Sequence, residues 1–268
     1  MISHHFFVIL TVNNKMFMMK ALRFLCLSVC LGLPVVGFAQ HYELRGVKAG
    51  RYEVTKRLDA VPDSAALRVV APYRHAVDSI MSPVLGESEV AMQADRPESL
   101  LSNFVADVLR EASVRVGKKA DIGLCNIGGL RSTMPQGQVT YGDVLEIAPF
   151  ANRLCMVALT GGKLMELMQQ VAAVGGEGIS GAHLVITADG RLLNAEVGGM
   201  PIKADSIYVV ATLDYLAEGN DRMYAFKDGL SKNETPLMVR DLIMEAIRRA
   251  KAQGRKVTAR MEGRIVVQ

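Results

Sequence analysis

The sequence predicts an α+β fold in which a mixed β-sheet packs with helices. Helical and strand-like segments follow one another in an irregular order, and the turn signal Asp189-Gly190 joins two strand candidates as a hairpin. This order favours α+β over a doubly wound parallel fold, which would alternate strands and helices regularly. The chain has 50% hydrophobic and 22% charged residues and shows no internal repeat, which is typical of one globular domain.

Five helical segments are predicted from apolar side chains at helical spacing or from helix-start residues. Proline suits a first helical turn, and threonine is a favoured N-cap. The predicted helices are residues 62–85, a segment opened by Pro97, Thr140 or Tyr141 to Ile147, Thr160 to about Val174, and a segment opened by Thr235-Pro236.

Strands are predicted where short apolar or alternating runs are bounded by turn residues. Between them, Gly175–Gly181 is predicted to be a flexible loop because it contains four glycines, and Asp214–Asp221 is predicted to be a polar loop. The predicted strands are Ser88–Met92, Ala120–Cys125, residues 153–159, Ala182–Thr187, Leu192–Val197, Ser206–Leu213 and Arg264–Val267.

The N-terminal segment has the pattern of a secretory signal. Lys20 and Arg23 precede an apolar run from Phe24 to Ala39, and small residues there favour cleavage before Gln40. We therefore predict a signal peptide over residues 1–39, with residues 1–17 as an upstream extension, and one domain over 40–268. A membrane anchor is the alternative, but the run is short for the roughly 20 residues that a spanning helix needs. The mature protein is expected to be periplasmic or extracellular, without stable membrane insertion.

The charge balance excludes a protein built to bind nucleic acid polymers. The formal net charge is +4, but removal of Lys15, Lys20 and Arg23 leaves 28 of the 31 basic residues against 27 acidic residues. Binding to a nucleic acid polymer requires a concentrated basic face. Two cysteines remain after the signal, Cys125 and Cys155, and both lie in apolar strand-like stretches. They could form one bridge, although buried free thiols are favoured.

The residues that would perform catalysis are few. His41, His75 and His183 are scattered, whereas a dimetal phosphatase needs several His, Asp and Asn ligands that converge on two ions. The sequence has no Asp-x-His, no Gly-Asn-His-Asp/Glu, no Gly-x-Ser-x-Gly and no phosphate-binding loop of the Walker type. We therefore expect no catalytic residue, no metal site and no cofactor in this chain.

The first candidate binding segment is Asn126–Arg131, which follows a predicted buried strand. Gly128 and Gly129 would allow the backbone to approach a ligand closely. Asn126 offers both a donor and an acceptor, and Arg131 offers a planar fork for a phosphate or a carboxylate. The alternative is a tight strand-to-helix turn that carries a surface arginine.

Two loop aromatics are candidates for stacking on a planar base. Phe150 lies in Pro149-Phe150-Ala151-Asn152, and Tyr215 follows the strand that ends at Leu213. Asp221 could accept hydrogen bonds from ribose hydroxyls. The alternatives are that each ring packs on the neighbouring strand ends, and that Asp221 and Asn220 only form a turn.

Five segments, in this order along the chain, resemble motifs of the C-terminal substrate-binding domain of the 5′-nucleotidase/UDP-sugar hydrolase family. The resemblance runs from about Pro97 to Asp221. Departures are Ser102 and Asn220 where the family has glycine, and Tyr215 where it usually has phenylalanine. The segments are Ser102–Asp107, Asn126–Arg131, Pro149–Asn152, Gly178–Gly181 and Gly219–Asp221.

The resemblance implies a role for each candidate residue. Phe150 and Tyr215 would clamp the base, Asn126 would contact the base, Asp221 the ribose and Arg131 the phosphate. Arg96 stands near a phosphate-contacting arginine of the family, but one residue out of register. The complete predicted substrate site is Asn126, Gly128, Gly129, Arg131, Phe150, Asn152, Tyr215 and Asp221.

The resemblance also implies a partner, because the family joins this domain to a metallophosphatase domain that holds two divalent metals. The sequence therefore predicts the nucleotide-recognising subunit of a split exported 5′-nucleotidase, which hydrolyses nucleoside 5′-phosphates with a separate metallophosphatase chain. A non-catalytic protein that binds nucleosides or nucleotides is the first alternative. A structural or interaction module without a small ligand is the second.

Overall fold

The computed structural model describes residues 43–60 and 62–268. The predicted signal peptide, residues 1–39, lies outside the described residues. The chain divides into two compact units after residue 61. In the first unit, the described residues have no regular structure apart from a 3-10 turn at Lys56–Ala60. No helix among the described residues is both long enough and apolar enough to cross a bilayer.

The second unit, Pro62–Gln268, holds the helices and the strands of the fold. Its helices are α1 (Ser64–Met81), α2 (Leu100–Ala112), α3 (Tyr141–Ile147), α4 (Gly161–Ala173), α5 (Asp214–Ala217) and α6 (Val239–Ala252). Its strands are β1 (Val84–Ser88), β2 (Ile122–Cys125), β3 (Gly137–Thr140), β4 (Arg153–Thr160), β5 (Gly178–Ser180), β6 (Ala182–Ile186), β7 (Leu192–Val197), β8 (Met200–Pro201), β9 (Ile207–Leu213), β10 (Ser231–Met238) and β11 (Ile265–Val267).

The strands form a five-stranded sheet in the order β10-β4-β9-β2-β5, a four-stranded sheet in the order β11-β6-β7-β8, and a ribbon of β1 with β3. In the five-stranded sheet, β2 runs parallel to β9, and the other neighbours are antiparallel. In the four-stranded sheet, β11 is parallel to β6. The prediction of an α+β fold with a mixed sheet is therefore confirmed.

The core lies around the five-stranded sheet. Every residue of β2 is buried, and β9 is buried from Val209 to Leu213. Because successive side chains of a strand point to opposite faces, continuous burial means that both faces of this sheet are covered. Helix α2 packs on β2 and β5, and α4 packs on β4.

The local sequence explains where two of the central helices begin. The Ser99 side chain caps α2 and forms a capping box with Ser102, so the helix begins three residues after Pro97. The Thr160 hydroxyl accepts a 3.3 Å hydrogen bond from the Lys163 backbone and caps α4, as predicted.

The predicted start of the last helix at Thr235-Pro236 is wrong. Both residues belong to β10, and α6 begins at Val239. β10 is the outermost strand of its sheet, and its pairing with β4 is irregular between Glu234 and Met238, which is where a sheet tolerates a proline. The Thr235 hydroxyl instead donates a 2.8 Å hydrogen bond to the Leu154 carbonyl.

The prediction that Gly175–Gly181 is flexible is also wrong. Gly178–Ser180 is β5, which pairs with β2. A Cβ on Gly178 would lie 2.5 Å from the Cys125 sulfur, and Glu177 is only 3% exposed. The glycines therefore allow close packing, and the segment is a buried part of the sheet.

The other differences concern the first predicted strand and the edges of the sheets. The strand predicted at Ser88–Met92 runs instead over Val84–Ser88, and the helix predicted over 62–85 ends at Met81, before Pro83. Strands β3, β8 and β10 were not predicted. The predicted polar loop Asp214–Asp221 contains α5 and the start of a 3-10 turn.

Candidate functional site

The topology of the five-stranded sheet brings three predicted binding segments to one edge. β2 and β9 are parallel neighbours, so their C-terminal ends lie at the same end of the sheet. Asn126 follows β2 there, and Asp214 follows β9. β4 is antiparallel to β9, with Leu154 opposite Leu213, so the segment that enters β4 is at this edge as well. Phe150 and Asn152 lie in that segment.

A cleft of about 300 Å³ lies between these segments. Seven of the eight predicted site residues line it, while Arg131 does not. The seven are Asn126, Gly128, Gly129, Phe150, Asn152, Tyr215 and Asp221.

The two aromatic side chains of the cleft are not part of the core. Phe150 is 50% exposed and Tyr215 is 41% exposed, and both border the same cleft. Neither ring is buried by packing on the strand ends, and the stacking role of the two rings stays a prediction. Each ring retains free surface that can contact a planar ligand.

A chain of hydrogen bonds forms the polar wall of the cleft. The Asn126 side chain is buried and donates from Nδ2 to Asp221 Oδ2 at 2.6 Å. The Tyr215 hydroxyl donates to Asp221 Oδ1 at 2.9 Å. This hydrogen bond, together with the negative charge of Asp221, raises the pKa of the Tyr215 phenol. Asn126, Asp221 and Tyr215 therefore form one connected unit.

The backbone at Asp221 is left-handed, with φ 51° and ψ 31°, and the following residue Arg222 has φ 67°. Aspartate tolerates this region better than most residues, but it is uncommon outside glycine and is frequent at functional sites. The two side-chain hydrogen bonds to Asp221 hold this conformation. The Asn220 side chain braces the same turn by donating to the Tyr215 carbonyl at 2.8 Å.

Arg131 is exposed and donates from Nη1 to the Gly128 carbonyl at 3.2 Å. The Arg131 side chain thus contacts its own loop outside the cleft. Its role toward a phosphate stays a prediction. Arg96, the residue near a family phosphate contact, is held elsewhere, since its Nη2 lies 2.5 Å from Glu177 Oε1.

Glu177 is a residue of this region that the sequence reasoning missed. Its other carboxylate oxygen accepts a 2.5 Å hydrogen bond from the Ile127 backbone, directly after Asn126. Burial raises the pKa of this carboxyl, although both partners oppose the shift. The glycines on either side of Glu177 indicated a flexible loop, and an acid in such a loop gives no sequence signal of burial.

Comparison with known proteins decides the family. The family described as 5′-nucleotidase, C-terminal domain, matches residues 84–228. The chain belongs to this family.

The chain is similar to parts of longer proteins. A 5′-nucleotidase from Vibrio vulnificus is 28% identical over 165 residues, which cover 59% of this chain and 30% of that protein. Endonuclease YhcR from Bacillus subtilis is 29% identical over 180 residues, which cover 64% of this chain and 14% of that protein. The chain thus spans less than a third of either relative.

A solved structure shares the fold. The 5′-nucleotidase precursor from Thermus thermophilus superposes with a TM-score of 0.68 and 26% identity, over 78% of this chain and 44% of that chain. The resemblance stated from the sequence motifs is therefore confirmed at the level of family and fold.

Clusters of metal-binding side chains are absent among the residues that the structure describes. No group of three or more His, Cys, Asp or Glu side chains in residues 43–60 and 62–268 is placed to hold an ion. Cys125 and Cys155 are buried free thiols, so the alternative of a bridge between them is wrong. Burial raises the pKa of Cys155 to about 11 and that of Cys125 further.

Proposed function

We propose that this chain is the nucleotide-recognising subunit of a split exported 5′-nucleotidase. A separate metallophosphatase chain would carry the two divalent metals and hydrolyse the nucleoside 5′-phosphate. The observation that carries the proposal is the cleft between Phe150 and Tyr215, which also contains Asn126 and Asp221. Export is proposed from the signal pattern of residues 1–39.

The base would bind between the exposed faces of the two rings. Stacking on an aromatic side chain contributes roughly 1–3 kcal/mol per base in nucleic-acid complexes. Stacking tolerates different bases, so these rings provide affinity with little base selectivity. Asn126 and Asn152 border the same cleft and supply the polar groups that can meet a base edge.

The ribose would bind beside Asp221. Each oxygen of this carboxylate already accepts one hydrogen bond, but a carboxylate has about four acceptor positions and retains room for the ribose hydroxyls. Arg131 at the rim is free to release its hydrogen bond to the Gly128 carbonyl and contact the phosphate.

The contribution of this chain to hydrolysis would be positional. Holding the base and the ribose presents the phosphate to the partner in one orientation, and such fixation lowers the entropic barrier of the reaction. The described residues do not fit a dimetal site, so we derive no metal-dependent step within this chain.

The test measures phosphate release from AMP by a separately expressed dimetal phosphatase chain of the same organism, with and without this protein. Turnover is expected to rise with added protein and to saturate at a fixed ratio of the two chains. Wild-type protein is compared with a Phe150→Ala, Tyr215→Ala double variant that remains folded by circular dichroism. No gain at any ratio contradicts the split enzyme.

A non-catalytic nucleoside-binding protein is the second candidate function. One observation favours it, since the polar wall of the cleft is already connected by hydrogen bonds within this chain alone. Calorimetry with adenosine and AMP distinguishes the two functions. A half-site should bind weakly by itself, whereas a stand-alone binding protein should bind at about micromolar concentration or below.

A further inference from the structure

Glu177 does not line the cleft, but its carboxylate accepts a hydrogen bond from the backbone of the loop that does. Its side chain is only 2% exposed, and its two oxygens serve different partners. A buried carboxylate is costly unless both oxygens are compensated, and here each oxygen accepts a hydrogen bond from a different partner. We propose that Glu177 is a positioning residue that fixes the Asn126 side of the nucleotide cleft. This inference rests on the proposed function of that cleft.

The route from Glu177 to the cleft is short and continuous. Glu177 Oε2 accepts a hydrogen bond from the Ile127 amide at 2.5 Å. Ile127 is the first residue of the turn Ile127–Gly129, and Gly128 and Gly129 of this turn line the cleft. The preceding residue, Asn126, donates to Asp221 at 2.6 Å. Anchoring the Ile127 amide therefore fixes the backbone from which the Asn126 side chain reaches Asp221.

The position of the Glu177 carboxylate is itself fixed from the other side. Arg96 donates from Nη2 to Glu177 Oε1 at 2.5 Å and from Nε to the Gly176 carbonyl at 2.9 Å. Gly176 has φ 107°, and a Cβ there would collide with the Pro97 backbone. The backbone on the Arg96 side of Glu177 is therefore closely packed and hydrogen-bonded.

Glutamine at position 177 would keep the shape of the side chain but not its hydrogen bonds. Glu177 has an N–H donor facing each oxygen, whereas a glutamine presents one oxygen and one NH₂ group. Either the Ile127 amide or the Arg96 guanidinium would then face another donor. The Glu177→Gln variant thus tests the carboxylate with little change in volume.

Asp121→Asn provides a matched control. Asp121 Oδ2 accepts a 2.7 Å hydrogen bond from the Val209 backbone, so this change also converts a carboxylate that holds a backbone amide. Asp121 precedes β2, whereas Asn126 follows it, so the control acts at the opposite end of the same strand. It does not border the cleft.

The experiment compares wild-type protein, Glu177→Gln and Asp121→Asn. Calorimetry gives the affinity for adenosine, and thermal unfolding gives stability. We expect Glu177→Gln to weaken adenosine binding about tenfold or more, and Asp121→Asn to change it less than about twofold at a similar loss of melting temperature. Equal losses of affinity in the two variants, or unchanged affinity in Glu177→Gln, would overturn the positioning role.

A second measurement does not depend on a ligand. By NMR, Glu177→Gln is expected to accelerate hydrogen exchange of the Ile127 amide about tenfold and to shift the side-chain amide signals of Asn126, whereas Asp121→Asn leaves both unchanged. If neither signal moves in Glu177→Gln, the inference is wrong. If wild-type protein neither binds adenosine or AMP nor raises AMP turnover by the phosphatase chain, the proposed function fails, while the exchange data still decide whether Glu177 holds this loop.

Discussion

The Asn126 side-chain amide donates a 2.6 Å hydrogen bond to the Asp221 carboxylate, 95 residues later in the chain. Asn126 follows β2, and Asp221 lies in the turn after α5. This one contact joins two loops into a single wall of the cleft. It also fixes the orientation of the amide, since only the NH₂ end can donate to a carboxylate.

Asn126→Asp should disrupt this wall. It replaces the donor that faces Asp221 with a second carboxylate, and two carboxylates at hydrogen-bond distance repel each other. Adenosine binding should weaken about tenfold or more at pH 7. Calorimetry at pH 7 checks this, with wild-type protein as the reference. Affinity equal to wild type at pH 7 would contradict the predicted role of the contact.

Gly129 and Gly128 provide a matched pair of substitutions in the same turn. A Cβ on Gly129 would lie 2.8 Å from Asn126 Oδ1, whereas a Cβ on Gly128 would meet nothing within 4 Å. Gly129→Ala should displace the Asn126 amide and weaken adenosine binding, while Gly128→Ala should retain a folded protein with Asn126 in place. Crystal structures of both variants check the position of Asn126. A displaced Asn126 in Gly128→Ala, or an unmoved one in Gly129→Ala, would contradict the close packing.

The ring faces of Phe150 and Tyr215 should carry most of the affinity for a base. Phe150→Ala and Tyr215→Ala should each reduce nucleoside binding by roughly 1–3 kcal/mol, with little loss of stability because both rings are largely exposed. Fluorescence or calorimetric titration with adenosine measures this loss. Unchanged affinity in both folded variants would show that the rings do not form the binding surface.

The hydroxyl of Tyr215 can be tested separately from its ring. Tyr215→Phe retains the stacking face but removes the 2.9 Å hydrogen bond to Asp221. We expect a smaller loss than for Tyr215→Ala, and one that affects adenosine more than 2′,3′-dideoxyadenosine, because Asp221 is proposed to contact the ribose hydroxyls. Equal losses of affinity for the two ligands would show that Asp221 does not contact the ribose hydroxyls.

The buried cysteines predict a loss of stability at alkaline pH. Burial raises the pKa of Cys155 to about 11, whereas the pKa of a cysteine in an unfolded chain is about 8.5. The stabilisation is therefore complete below about pH 8.5 and is lost as the pH rises through about 11. Cys155→Ala should make the fall in unfolding free energy less steep, by at most about 1.4 kcal/mol per pH unit.

Urea unfolding between pH 7 and 10.5 measures this slope in wild-type protein and in Cys155→Ala. In native protein without residues 1–39, Cys125 and Cys155 should also react only slowly with Ellman's reagent at pH 8, because both thiols are buried. Rapid modification of either thiol in the native state would contradict the burial.

Arg264, which directly precedes β11, forms an ion pair with Asp107 of α2, and this pair should stabilise the fold. It forms a double hydrogen bond with Asp107, both distances being 2.9 Å, and its side chain is only 12% exposed. Asp107→Asn should lower the free energy of unfolding by roughly 1.5–3 kcal/mol. Glu262→Gln is the control, since this second partner of Arg264 is more exposed and should contribute less than about 1 kcal/mol. Urea denaturation measures the free energy of unfolding of both variants. A larger loss in Glu262→Gln would show that Asp107 is not the more important partner of Arg264.

Loop chemistry made most of the cleft predictable from the sequence. Two glycines, two asparagines, two aromatics and an aspartate in loops next to strands gave seven of the eight predicted residues, and these seven line one cleft. Arg131 was predicted for the same reason, but a long flexible side chain at a rim takes its direction from neighbours, and here it turns toward the Gly128 carbonyl.

Some elements were not predictable because their signals are ambiguous in a linear sequence. Thr235-Pro236 starts a helix as readily as it occupies an edge strand, and only pairing with β4 decides between them. Gly175–Gly181 has the composition of a flexible turn, and only the close approach of Cys125 and Pro97 shows that its glycines are there for packing.

By itself the sequence determined the α+β class, the family motifs and the residue types of the cleft, because hydrophobic periodicity and turn chemistry are local properties. The tertiary structure decided which of those residues meet. The parallel pairing of β2 with β9 brings Asn126 to Asp221, and the burial of Glu177 places its carboxylate under the Ile127 amide. Such contacts join residues far apart in the chain, and no local pattern encodes them.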